Sequence, residues 1–160
     1  MLDITLITVG KLKEKFYIDA CSEYEKRLKT FCNLKLIELQ ETRLPENPSH
    51  AEIVAGLDKE ASLILAKIPK NAWFCVLTPE GKMLSSEELA NKFSELKLNG
   101  KSSICFLIGS SFGISTKIKQ LANFQLSMSP MTFPHHLAKI MVLEQIYRAE
   151  SIQAGSKYHK

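Results

Sequence analysis

The chain has 160 residues, a formal net charge of +4, 45% hydrophobic residues and 24% charged residues. That length gives one domain with a real core and little room for a second, and the composition is that of a soluble globular protein. No apolar run approaches the roughly 20 residues of a membrane span, and Met1-Leu2-Asp3-Ile4 lacks the basic stretch and cleavage site of a signal peptide. The expected compartment is therefore the cytosol. The mild basicity favours approach to a polyanion, but many proteins that bind none share it. Cys21, Cys32, Cys75 and Cys105 are far apart, with no C-x-x-C pair. Cys75 and Cys105 fall inside apolar runs, so the four read as reduced, structural residues rather than redox or metal groups.

In chain order, Leu2–Val9 is β-branched and reads as a strand that Gly10 ends, and Lys13–Leu28 reads as an amphipathic helix with Phe16, Ala20, Tyr24 and Leu28 at four-residue spacing. Leu34–Leu39 is a second strand, followed by a polar, proline-containing loop over Gln40–Pro48. Ser49 and Glu52 form an S-x-x-E capping box, opening a helix that runs to about Lys67 and stops before Pro69. Ala72–Leu77 is a third strand, Thr78-Pro79-Glu80-Gly81 a turn, and Ser85 or Ser86 caps a helix to Lys97 that Asn99-Gly100 terminates. Ser103–Ile108 is a fourth strand, Thr116–Ala122 a helix, Phe124–Met128 a short strand, and Pro134 stands at the start of a last helix to about Ile152. Strands and helices alternate, and the two central strands are apolar throughout. This predicts a single α/β domain with a mainly parallel sheet flanked by helices.

Ligands of open α/β sheets bind at the carboxyl ends of the strands. Three segments occupy those ends: Leu77–Gly81, Gly109–Gly113 and Met128–Pro134. The glycine-bounded Gly109–Gly113 loop is neither a phosphate loop nor G-x-G-x-x-G, and it reads equally as a tight turn or as a close backbone approach to a ligand. The Met128–Pro134 segment is stiffened by prolines. It reads as a rigid connector or as an adenine-binding loop whose backbone meets the base edge. His135 and His136 point about 100° apart on a helix and have no completing ligand, which argues against a metal. Glu144 and Arg148, four residues apart, read as a surface ion pair of little value. The tail Gly155–Lys160 reads as a frayed terminus, although Tyr158 and His159, with Lys157 and Lys160, are groups that stack on bases and hold phosphates.

Taken together, Val9-Gly10-Lys11-Leu12-Lys13, Phe106-Leu107-Ile108-Gly109, Met131-Thr132-Phe133-Pro134-His135, Glu144-Gln145-Ile146-Tyr147-Arg148-Ala149 and Tyr158-His159-Lys160 resemble the ribosomal RNA large subunit methyltransferase H family of the SPOUT superfamily. The likeness covers essentially residues 1–160. It implies a C-terminal trefoil knot, a topology that general folding rules would reject as rare, and a homodimer. It also implies transfer of a methyl group from S-adenosylmethionine to N3 of a pseudouridine in 23S rRNA of the assembled ribosome, with neither metal nor membrane. The family's cofactor loops correspond here to Leu77, Gly109 and Met128, Ser129, Pro130, Met131, Thr132 and Phe133. Its catalytic and rRNA-side groups correspond to His135, Arg148, Tyr158 and His159.

Two positions depart from the family pattern. Ser110 replaces a usual second glycine, which suits a backbone kept at φ < 0. Lys139 stands where arginine is frequent, keeping a charge for RNA phosphate or cofactor carboxylate but losing the bidentate fork. Two other classes compete with this reading: a non-catalytic ribosome-binding factor and an unrelated nucleotide-binding enzyme using the Gly109 loop. Cofactor titration separates the first, and competition between ATP and S-adenosylmethionine the second.

Overall fold

The β-branched Leu2–Val9 segment forms β1, and the chain then alternates strictly: α1 Lys15–Leu28, β2 Cys32–Leu39, α2 His50–Leu65, β3 Trp73–Met83, α3 Ser86–Leu98, β4 Ser103–Ile108, α4 Thr116–Leu121, β5 Phe124–Ser127 and α5 His135–Gln153. The computed structural model describes residues 1–160. Every strand pairing is parallel, and the order across the sheet is β2-β1-β4-β3-β5. The expected α/β architecture is present, and its sheet is parallel throughout.

Side chains alternate across a strand, and here both faces are covered. Leu2, Ile4, Leu6, Ile104, Phe106 and Cys75 pack with Cys21 and Leu28 of α1, Phe93 of α3 and Val142, Leu143 and Ile146 of α5. Ile7, Val9, Cys105, Leu107, Phe74 and Val76 face the other way, against Ala61 and Ile64 of α2 and Ile118 of α4. The connection after β1 therefore leaves toward one face and the connection after β4 toward the other. Because β1 and β4 are neighbours, the direction of the connections changes between them at the carboxyl edge, the edge at which doubly covered parallel sheets bind ligands.

The boundaries differ from the sequence reading where tertiary bonds compete with local preference. The first helix starts at Lys15 rather than Lys13, because the Leu12 amide donates to Glu38 Oε2 at 2.8 Å and Glu14 is extended, with ψ of 129°. The second strand starts at Cys32, in register with Leu2. The segment Thr78-Pro79-Glu80-Gly81 does not end the third strand. It bulges within it, so that Leu126 of β5 is partnered by Leu77 on one side of the bulge and by Lys82 on the other. Ser127 Oγ donates to the Pro79 carbonyl at 2.9 Å and holds the bulge in place. Both capping boxes form: Ser49 with Glu52, and Ser85, rather than Ser86, with Glu88. Pro134 is the residue before the last helix, with ψ of 137°, and the helix proper begins at His135.

No helix is long and apolar enough to cross a membrane. All four cysteines are free and buried. Burial pushes the Cys32 and Cys105 thiols up to about 12 and raises Cys21 and Cys75 as well. The folded protein should therefore show no fast reaction with an aromatic disulfide reagent at pH 8, and release four thiols in denaturant; a rapidly labelled thiol in the native state would contradict this packing.

Candidate active site

Three segments meet at the carboxyl end of the sheet. The β3 bulge contributes Leu77–Glu80, the end of β4 and the loop after it contribute Ile108–Ile114, and the connection from β5 to α5 contributes most of the stretch from Met128 to His135. Together they line one crevice of about 820 Å³, within the usual range for a small-ligand site. Leu77, Gly109, Met128, Ser129, Met131, Thr132, Phe133 and His135, chosen from the sequence, all border it. Of the expected cofactor-binding residues, Pro130 alone does not. It is exposed on the connection, where the Met131 amide donates to Ser129 Oγ at 3.0 Å.

Gly109 is dictated by the loop's own packing. A Cβ there would lie 2.4 Å from the Gly113 carbonyl oxygen and 2.5 Å from Ile114 Cγ1. The loop closes back on itself through the Gly113 amide, which donates to the Ser110 carbonyl at 2.9 Å, and Gly113 takes φ of +95°. Ser110 keeps a negative φ, since Asn71 is the one non-glycine residue at positive φ. The serine thus fits the backbone as expected, and its hydroxyl donates to Glu60 Oε1 at 2.8 Å.

At the opposite wall, the first turn of α5 presents amides that have no partner within the helix and no side-chain cap. They give the crevice a weakly positive end suited to an anionic group. His135 stands on that turn. Gly10, the residue after β1, makes room for it: a Cβ on Gly10 would lie 2.7 Å from His135 Nε2. Burial first, and the adjacent His136 second, lower the pKa of His135, with Glu41 and Glu14 opposing. The ring is consequently mostly neutral at pH 7. On the rim, Lys119 donates to Glu80 Oε1, and this ammonium, with a lesser contribution from the Thr78 hydroxyl, holds the Glu80 carboxyl at about 2.

Lys139 does not reach the crevice. It is 3% exposed, and its Nζ lies 3.9 Å from Glu38 Oε2, the oxygen that also accepts the Leu12 amide. Its charge fastens the loop after β1 inside the protein, so the expected contact with phosphate or cofactor carboxylate is replaced by an internal one.

The other three candidates gather elsewhere. At about 1.5 Å rise per residue, Arg148 is roughly 20 Å along α5 from His135. Its Nε donates to Glu144 Oε1 at 2.6 Å and its guanidinium lies 5.0 Å from the centre of the Tyr158 ring. The Tyr24 and Tyr158 hydroxyls also donate to Glu144, at 2.5 and 3.0 Å. Arg148 Nη1 donates to His159 Nδ1 at 3.1 Å. Because arginine can only donate, His159 carries its proton on Nε2, which faces Glu87 Oε1 at 2.7 Å. The Glu144–Arg148 pair is therefore the centre of a half-buried network, not a dispensable surface pair. The tail does not fray, because Tyr158 and His159 are anchored by residues far away in sequence. Sequence reasoning missed Glu60, Glu41 and Glu87. Glu60 alone left a signal, since it lies on the same helical stripe as Gly56 and Ile64.

A parallel α/β sheet with a nucleoside-sized crevice at its carboxyl edge, walled by the amino end of the last helix, defines a cofactor-binding α/β protein. The sequence matches the family described as predicted SPOUT methyltransferase over residues 2–159. This chain belongs to that family, and the resemblance carried by its motifs is borne out. It is 47% identical over 159 residues to the ribosomal RNA large subunit methyltransferase H of Clostridium novyi (strain NT), covering 99% of this chain and 100% of the relative. It is 45% identical, with the same coverage, to that of Clostridioides difficile (strain 630) and to the putative ribosomal RNA large subunit methyltransferase H of Methanococcus maripaludis. A solved structure of a probable methylase family protein from Haemophilus influenzae Rd KW20 shares the fold, with a TM-score of 0.54 and 14% identity over 100% of this chain and 72% of that one.

Substituting Gly109→Ala should destabilise the protein by about 1–3 kcal/mol, as over-packing does when backbone must move. Equilibrium urea unfolding measures this, and an unchanged midpoint would mean that the loop is looser than its contacts indicate. The depressed pKa of His135 means that the fold favours the neutral ring. Its contribution to stability is complete above 6.5 and declines as pH falls through the lower folded value. The His135 ring resonance should accordingly titrate below 6.5, and a midpoint above that value would contradict its burial.

Proposed function

We propose that this protein uses S-adenosylmethionine to methylate N3 of a pseudouridine in 23S rRNA of the assembled ribosome, acting as a homodimer in the cytoplasm with no metal. The observation that carries this reading is the convergence of Leu77, Gly109 and the Met128–Phe133 connection on one crevice, in a chain whose curated relatives are named for methylating large-subunit ribosomal RNA. The crevice suits the cofactor. Leu77, Met128 and Phe133 supply apolar walls for adenine, Gly109 lets backbone come close, and the uncapped first turn of α5 suits a carboxylate. The β5–α5 connection would be threaded as a trefoil knot, returning the chain from the sheet edge to pack α5 between α1 and α3.

S-adenosylmethionine supplies an activated methyl group on a sulfonium. The residues of this chain align donor and acceptor, which by itself supplies roughly 7–11 kcal/mol of the barrier. The acceptor N3 must lose its proton as the bond to the methyl carbon forms and the carbon–sulfur bond breaks. Neutral His135 at the crevice is placed to take that proton. A guanidinium beside the ring would stabilise the negative charge that develops on it. Within one chain Arg148 is too far away to do this, so the tail and Arg148 of one subunit complete the crevice of its partner. Exposed apolar groups, Phe16 at 66%, Met131 at 74% and Leu137 at 37%, offer a surface for the second copy.

Removal of residues 156–160 should abolish methylation and leave S-adenosylmethionine affinity within about threefold, a change of well under 1 kcal/mol. Full activity in the truncated protein would remove the tail from the mechanism. Mixing truncated chains with Gly109→Trp chains should restore roughly a quarter of wild-type activity, because half the dimers are mixed and each has one intact composite site. No recovery would place the tail and the crevice of a working site in one chain. Mass spectrometry of 23S rRNA from cells with and without the gene tests the reaction itself: one methylated pseudouridine should be lost. A non-catalytic ribosome factor would leave that RNA unchanged and bind no cofactor.

A further inference from the structure

Two carboxylates outside the crevice hold consecutive residues of the Gly109–Gly113 loop. Ser110 Oγ donates to Glu60 Oε1 at 2.8 Å, and the second oxygen of the same carboxylate accepts the Thr42 amide at 2.8 Å. Ser111 gives its amide, at 3.2 Å, and its hydroxyl, at 2.9 Å, to Glu41 Oε1. The loop is thereby tied to the segment that follows β2, which is itself fastened to α2 by Thr42 Oγ1 donating to the Gly56 carbonyl at 3.3 Å.

Glu60 is 4% exposed and forms no ion pair. A carboxylate buried without a cation is costly unless its oxygens are satisfied, and both of these accept hydrogen bonds from loop residues. A helix stripe that required only packing would be served by an apolar side chain. The carboxylate at this position is explained by the two loops it joins. Glu41 does the same at the half-exposed end, and its charge also acts on His135 across the crevice mouth.

We propose that Glu60 and Glu41 are positioning residues for the methyl donor: they hold the Gly109–Gly113 loop in its binding conformation before the cofactor arrives. This rests on the function proposed above. A segment bounded by glycines is mobile when unrestrained, and ordering it at the moment of binding subtracts from affinity. Two anchors placed on adjacent residues remove that cost in advance. The relevant quantity is cofactor affinity, not the rate of the bound complex.

The test uses the full-length protein and four variants. Glu60→Ala frees both the Ser110 hydroxyl and the Thr42 amide, whereas Ser110→Ala removes only the loop side and leaves the helix untouched. Glu60→Gln keeps both links, because its carbonyl accepts Thr42 and its amide donates to a rotated Ser110 hydroxyl. Glu41→Gln weakens the Ser111 grip. Ser110→Ala and Glu60→Ala should each raise the KM for S-adenosylmethionine about tenfold, the scale of one lost buried hydrogen bond, with kcat within about twofold. The double variant should be no worse than Glu60→Ala, and Glu60→Gln should restore near wild-type KM. Amide exchange at Ser111 and Gly113 in the cofactor-free protein should accelerate in the two alanine variants. Glu41→Gln should accelerate exchange at Ser111 and shift the acid limb of the pH–rate profile to lower pH. Additive Ser110 and Glu60 effects, or unchanged KM and exchange with only a lower Tm, would overturn the proposal. A wild-type protein that binds no S-adenosylmethionine would overturn the functional reading instead, and faster exchange in the variants would still support the anchoring itself.

Discussion

Strand β4 is hydrogen-bonded to β1 on one side and to β3 on the other, and Ile104 through Ile108 are buried without exception. In this parallel register Thr8 lies level with Ile108 and Val76 with Leu107, so whatever follows each of them is delivered to the same edge of the sheet. Apolar burial on both faces makes that register hard to slip, since a shift by one residue would exchange the side chains of the two faces. The crevice is a consequence of this alignment. The loop after β4, the β3 bulge and the connection leaving β5 line it together.

Charge is used within this frame to fix loops. Lys139 and Glu38 hold the segment after β1, Glu60 and Glu41 hold the segment after β4, and Ser127 holds the β3 bulge. These three segments therefore have anchors that do not border the crevice. Among the groups that border it, Ser110 and Ser111 are held by those anchors from outside, and Lys119 pairs with Glu80 at the rim. An anchor that lies outside the crevice need not be broken when a ligand enters.

The alternation of elements, the two central strands and the ligand-bearing edge were legible in the sequence because they rest on continuous apolar runs and on glycine and proline at the ends of elements. The crevice walls followed from the same logic. What escaped was decided by partners distant in sequence. Thr78–Gly81 looks like a turn until β5 is present to pair on both sides of it. Lys139 looks like a ligand for phosphate until Glu38 is brought beneath it. Tyr158 and His159 look like a loose end because Glu144, Arg148 and Glu87 are joined to them only by the fold. The second glycine of the family pattern appears expendable in the sequence, and the structure shows that the serine in its place gains a buried acceptor on α2.

Helix α5 carries His135 in its first turn and Arg148 near its far end, with Lys139, Val142, Leu143, Ile146 and Ala149 buried between them. It acts as a rigid spacer between the crevice and the Glu144 network that holds the tail. One residue inserted at its middle would rotate everything beyond by about 100° and advance it by about 1.5 Å. The buried stripe, the Glu144 network and the tail would then all face the wrong way at once. A substitution along this helix acts at one place, whereas a change in its residue count displaces every residue beyond it. An insertion in a surface connection, by contrast, has no such phase to disturb.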